Sequence, residues 1–318
     1  AYRNVNEILN IIGTSWDETF TPYNFNFSNI QGKSLQHFST RELMALTKEF
    51  LAFLVFFKEN KSESVEQFAT RHNFSATSMD YMDRMCRLTD GAGSDRYTMF
   101  QFLQLVNQNM FGRLYQPKNP NDTHLFRLWE EKLVKNGVDL LLGSEVMSVI
   151  DNKVYVDEGV FDAKKVLLCI PPKPFLSLSR NVLVGSSTLF DIYNKKLDIS
   201  NWVNRNSYSD YISITFHWKG DHTLTKVWGF PSDDWGVAFV VLSDYMKKVE
   251  DGYNLVISTC ITRVSAMSKE INKTAMDCSE EELISETFRQ LKVSFPDLEP
   301  FDEAIVYDKK LLSLIHIS

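Results

Sequence analysis

Two hydrophobic periodicities divide this chain. Up to residue 135 apolar side chains recur every three or four positions, the spacing of one helical face; beyond it they alternate or run unbroken, as in strands. Residues 1–35, rich in Asn, Phe and Thr, offer only a short helix near Val5 to Ile12. Ser39 or Thr40 then caps a helix carrying Leu43, Met44, Leu46, Phe50, Leu51 and Leu54. Ser62 or Ser64 opens another over Val65 to His72, and Ser75 precedes a third with Met79, Met82, Met85 and Cys86 on one face. A methionine stripe at that spacing predicts core packing rather than a ligand site. Tyr97 to Val106 resumes the series. A helix from near Thr123 to Lys135 is expected to bury Leu125, Leu128, Trp129 and Leu133, and Gly137 supplies the left-handed stop.

After Gly137 the period shortens to two. Val138 to Leu142 reads as a short apolar strand continued by Glu145 to Ile150. Lys153 to Val156 and Val160 to Asp162 form a hairpin around Asp157-Glu158-Gly159. Lys165 to Ile170 (KVLLCI) reads as a buried strand stopped by Pro171-Pro172, since proline has no N–H for the ladder. Further strands are expected at Tyr211 to Trp218, Val227 to Phe230, Val237 to Leu242, Leu255 to Ile261 and Asp302 to Tyr307. Between the last two, Ser279 and three glutamates open an amphipathic helix through Leu283, Phe288 and Leu291, an acidic first turn that suits the helix dipole. No internal repeat is visible.

Composition narrows the chemistry. The 318 residues are 44% hydrophobic and 24% charged, with 13 Gly and 9 Pro, which describes a globular chain and neither a disordered nor a fibrous one. A net charge of −7 with scattered Lys and Arg disfavours nucleic acid as a partner. The most apolar run, Phe50 to Phe57, is too short for a membrane helix, which needs about 20 residues, so it predicts a core-buried helix and no transmembrane segment in this portion. Cys86, Cys169, Cys260 and Cys278 are far apart, and His217 with His222 is the nearest approach to metal-ligand spacing; no metal site is expected. Isolated cysteines fit a reducing compartment such as the cytoplasm. The loop from Asp90 to Asp95 carries Gly91 and Gly93, but no apolar strand enters it and no third glycine follows, so it reads as an interhelical loop rather than a phosphate cradle.

The ends shape the expected boundaries. The chain opens on Ala1 with no targeting pattern, and residues 312–318 (LSLIHIS) resemble a translated sequencing adaptor. The expectation is a portion of a longer protein, truncated at both ends.

The stretch Lys132 to Phe175 has a distinctive order: helix, Gly, short strand, G-S-E-V-M-S-V, hairpin, then D-A-K-K-V-L-L-C-I-P-P. This order resembles the flavin-containing amine oxidase family, as do Ser207 to Trp218, Val227 to Leu242, Leu255 to Ile261 and Ser279 to Phe295; loosely, the likeness spans residues 35–308. The resemblance implies a mixed α/β (α+β) fold of two domains, a helical plus mixed-sheet substrate domain and an incomplete FAD-binding domain. The expected boundaries are residues 1–121 for the helical part of the substrate domain and 122–180 for part of the FAD-binding domain. Residues 181–311 would form the substrate-domain sheet and helix, with 312–318 excluded.

The resemblance also implies FAD as cofactor and an enzyme that takes hydride from the C–N bond of a small-molecule amine, with the 318 residues inactive alone and weak in FAD binding. Val146 matches the family valine whose backbone amide and carbonyl pair with the adenine edge; a β-branched residue holds that strand extended. The segments at Val146 and before Pro171 are then two edges of one coenzyme-holding sheet. The glycine-rich pyrophosphate turn and the C-terminal flavin segment of the family have no counterpart here. Tyr211 stands where many amine oxidases carry a lysine, five residues before the aromatic Phe216, and a tyrosine cannot supply that cation. Two rivals follow: a desaturase or protoporphyrinogen-oxidase-like flavoenzyme of the same architecture, and a degenerate binding protein that keeps only the scaffold. No catalytic residue is assigned.

Overall fold

A computed structural model of the chain describes residues 3–23, 26–27, 38–56, 63–90, 92–111, 113–150, 152–179, 203, 207–222, 224, 227–228, 234–247, 252–307 and 314–316. The fold is mixed α/β, with helices and antiparallel sheets. The chain divides into two compact units, residues 1–132 with 209–314, and residues 133–208 with 315–318.

The first unit begins with α1 (Arg3–Ile12), α2 (Trp16–Thr19), β1 (Phe20–Pro22) and β2 (Asn26–Phe27), followed by a helical block. The block comprises α3 (Thr40–Phe56), α4 (Val65–Arg71), α5 (Ala76–Asp90) and α6 (Met99–Phe111). Its starts lie where the serines predict. Ser64 caps α4 through a reciprocal box with Gln67, and Ser39 does the same for α3 with Glu42. Glu42 also accepts the Ser75 amide at 2.6 Å, so one buried carboxylate ties the beginnings of α3 and α5 together. Burial pushes this carboxyl up, but the amides of Ser75 and Ser39 outweigh it and hold its pKa at about 2. The methionine stripe packs as expected: Met82 and Cys86 are fully buried with Phe68, Phe102 and Leu103, and Met79 and Met85 lie against them. The apolar run of α3 departs from expectation, since among its described side chains Phe53 alone is buried whereas Leu51 and Val55 face outward.

β3 (Tyr115–Pro117) pairs antiparallel with β1. A π-helical turn, Asp122–Phe126, leads into α7 (Arg127–Lys135). The helix is where the periodicity places it, but none of its residues is buried, and Trp129 is 39% exposed. Gly137 adopts φ +79° and closes it.

The second unit holds β4 (Val146–Ile150), β5 (Lys153–Val156) and β6 (Gly159–Asp162), a three-stranded antiparallel sheet in sequence order, followed by α8 (Pro172–Ser179). The expected hairpin is present. Two expected strands are not: Val138 to Leu142 and Lys165 to Ile170 join no ladder among the described residues. Leu142 is 83% and Leu167 86% exposed. The expected single sheet joining Lys165 to Ile170 with the Val146 strand is therefore not formed. Pro172 does more than stop a strand, because it opens α8, where its fixed φ and missing N–H are tolerated.

The short strands β7 (Ser207–Ser209) and β9 (Val227–Trp228) flank β8 (Ile212–Trp218) in sequence, and β9 pairs parallel with β2. The main sheet of the first unit combines β8 with β10 (Val237–Val241), β11 (Leu255–Ile261) and β12 (Glu303–Val306) in the order β10-β11-β8-β12, all antiparallel. β8 and β11 are central, so their backbones are paired on both sides. α9 (Glu280–Leu291) is capped by Ser279 with Glu282 and buries Leu283 and Leu291. With Phe216, Trp218, Trp235 and Ile257 these form the larger core. β13 (Leu314–His316) is the described part of the adaptor-like tail.

Candidate functional site

Two places in the molecule carry chemistry, one in each unit. The first is the edge of β4 that pairs with no strand among the described residues. Val146 begins that strand, is half-buried and pairs with Val156; a bulge then shifts the register so that Ser148 faces Tyr155. β5 covers only one side of β4, and on an edge strand alternate N–H and C=O groups point away from the ladder. Such an edge suits a planar heterocycle that presents one donor and one acceptor, provided no side chain blocks it. α8 packs against β4, with Pro172 and Val149 buried.

The second place is the end of the main sheet where β8 begins and β11 finishes. Ile212 pairs with Ile261, so Tyr211 and Thr262 lie just beyond the last rung. Here a cavity of about 520 Å³ is lined by Asp83 and Arg87 of α5, Asp210, and residues 262–266 with Met276. Arg263 reaches from the sheet to the helical block: its Nη2 donates to Asp80 and Asp83, each at 2.8 Å. Asp83 also accepts from Arg87 Nε at 2.8 Å and from the Ser94 amide at 2.8 Å. Burial opposes ionisation of Asp83, yet these donors and the two guanidinium charges hold its pKa at about 2. Burial works against the Arg263 cation too, and the paired carboxylates reverse that and raise its pKa. The network extends further: Asp80 is held below its ordinary value and accepts from Arg84 at 2.7 Å, while Gly93 packs where a Cβ would lie 2.6 Å from Arg87 Nη2.

This loop thus settles the role of its glycine. The Ser94 amide, which a phosphate would need, is directed to Asp83 instead, and carboxylates surround the turn. Tyr211, at the position where the resemblance leads one to look for a lysine, is 3% exposed. His217 is buried against Tyr253, ring centroids 5.0 Å apart, while the His222 ring stands 6.3 Å from Trp218. Among the described residues no three His, Cys, Asp or Glu converge as a metal site, and no helix is long and apolar enough to cross a membrane. The four cysteines form no disulfide, and burial pushes the Cys260 thiol up to about 12.

Sequence reasoning missed the Asp80-Asp83-Arg263 network. Asp80, Asp83, Arg84 and Arg87 at spacings of three and four do signal one charged helical face, but the partner from 180 residues away leaves no local trace.

No protein-family model and no curated protein matches the sequence. Solved structures do. A double mutant of putrescine oxidase superposes with a TM-score of 0.65 at 13% identity, over 97% of this chain and 72% of that one. An oxidoreductase from Methanosarcina mazei gives 0.57 at 16% identity, over 83% and 61%; a fatty acid isomerase from P. acnes gives 0.58 at 11%, over 96% and 72%. At these identities the likeness establishes the fold. The chain is also shorter than each of these neighbours.

Proposed function

We propose that this chain is part of an FAD-dependent oxidoreductase that oxidises an amine by hydride removal from a C–N bond. The observation that carries the reading is the edge position of β4, which begins at Val146 and pairs only with β5 among the described residues, on a chain whose fold is shared with putrescine oxidase. An adenine edge needs a main-chain donor and acceptor on an extended strand, and the β-branched Val146 at the start of β4 is compatible with that need. The turn at Gly93 supplies no pyrophosphate cradle, because its Ser94 amide is engaged by Asp83. Flavin, when bound, supplies the two-electron acceptor; the protein's part is to hold it and to position substrate. On this reading the domain limits are residues 1–121 and 181–311 for substrate and 122–180 for cofactor. Tyr211 leaves the substrate side without the lysine cation that the amine-oxidase resemblance implies, so positioning must come from other groups.

A second flavoenzyme reading, a desaturase or protoporphyrinogen-oxidase-like activity, draws on the superposition on a fatty acid isomerase, whose substrate is no amine, at a TM-score of 0.58 against 0.65 for putrescine oxidase. The deciding experiment uses protein purified from its native source. Flavin absorbance should be present and should bleach without oxygen when a polyamine or aromatic amine is added. Absence of flavin would remove both readings, and flavin that no amine reduces would remove the first. Val146→Pro deletes one backbone donor and should weaken FAD binding about tenfold, while Val146→Ile should not.

A further inference from the structure

We infer that the cavity at the end of the main sheet binds a small zwitterion whose two charges are separated by a short apolar chain. Arg263 commits only Nη2 to Asp80 and Asp83; its Nε and Nη1 have no acceptor among the described residues. The guanidinium is fixed in place by two carboxylates and is 22% exposed, so it presents ready-oriented donors at the cavity wall. Asp210, exposed on the same cavity, is in ion-pair contact with no described cation, Arg263 included. One cavity therefore contains a fixed donor array for a carboxylate and, not paired with it, an acceptor for an ammonium.

The lining is part apolar: Val264, Ala266 and Met276 face the same space as Thr262 and Ser265 and suit methylene groups. Net charge agrees with a neutral ligand. The carboxylates of Asp80, Asp83 and Asp210 balance the cations of Arg84, Arg87 and Arg263, so neither a simple anion nor a simple cation is favoured by the surrounding field. The inference rests on the cavity and not on flavin chemistry, and binding measured without cofactor tests it separately from the reading above.

The test is calorimetric titration of the 318-residue protein at low salt with β-alanine, 4-aminobutyrate and 6-aminohexanoate, against butylamine and butyrate. At least one of the three amino acids should bind about tenfold more tightly than either single-charge compound, the value of one charge-assisted hydrogen bond. Asp210→Asn should bring that ligand down to the affinity of butyrate, and Asp210→Glu should retain the preference. Asp210 has no described partner, so neither change should move the melting temperature. Equal affinity for all five compounds, binding of none of the three amino acids, or an unchanged preference in Asp210→Asn would each overturn the inference.

Discussion

Leu255 to Ile261 (LVISTCI) and Lys165 to Ile170 (KVLLCI) are nearly interchangeable as sequence: short, apolar, rich in β-branched or leucyl residues and ending in Cys-Ile. Their fates are opposite. The first is a central strand of the main sheet, flanked by β10 and β8, with Ile257 and Ile261 fully buried. The second joins no sheet among the described residues and leaves Leu167 86% exposed. An apolar run specifies a wish to be buried and paired. Whether that happens depends on neighbours on both edges, and those come from elsewhere in the chain.

The largest effect that sharpens this contrast is on stability. Ile257→Ala should cost about 3–4 kcal/mol, through lost burial and an unfilled cavity in a closed core. Leu167→Ala should change stability by less than about 0.5 kcal/mol, because its side chain is already in water. Urea unfolding of both variants decides it. Equal losses would mean that Leu167 is packed in solution and that the two runs are structurally alike.

Next in size is the charged link within the first unit. Asp83→Asn preserves shape but takes from Arg87 its described carboxylate and leaves Arg263 with Asp80. Removing one member of a largely buried ion-pair network should cost about 2 kcal/mol, less than a fully buried pair because Asp80 remains. Arg263→Met should cost a similar amount, and the double variant should cost clearly less than the sum. Strict additivity would show that the two groups do not interact.

The same carboxylates give the first unit a specific acid sensitivity. Asp83 and Glu42 both have folded pKa values near 2, against ordinary values of 3.8 and 4.5. Unfolded chains therefore bind protons more readily than the folded unit. The stabilisation is fully present above about pH 4.5 and drains away as pH falls toward 2. Thermal melts across that range should show the fall, and Glu42→Gln with Asp83→Asn should flatten it. A double variant with the parent's pH slope would assign the effect to other groups.

Much of this fold could be read from local pattern, and the exceptions have a common cause. Capping serines at 39, 64 and 279, the Met82–Cys86 stripe, Gly137 and strands β8, β10, β11 and β12 all lie within a residue or two of where periodicity puts them, since each is decided by neighbours a few positions away. The exposed side of α3, the water-facing α7 and the unpaired runs at 138–142 and 165–170 were not legible. Each depends on which surface is offered at long range, and periodicity reports only that an apolar face exists. The candidate sites divide the same way. Val146 could be singled out from its place in a local sequence of elements, whereas Arg263 could not, as its partners lie on a helix far back in the chain.

The smallest predicted effect probes the open runs themselves. If Leu142 and Leu167 are in water, replacing each by lysine removes an exposed apolar surface without removing any packing, and stability should stay within about 0.5 kcal/mol of the parent. Hydrogen exchange gives the residue-level counterpart. Amides of 139–142 and 165–170, which enter no ladder among the described residues, should exchange at nearly the rate of an unstructured peptide, while those of Leu255–Ile261 should exchange only through global opening. Slow exchange at 165–170 would mean that this run has found a pairing partner, and the contrast with β11 would then be one of place in a sheet rather than of structure against its absence.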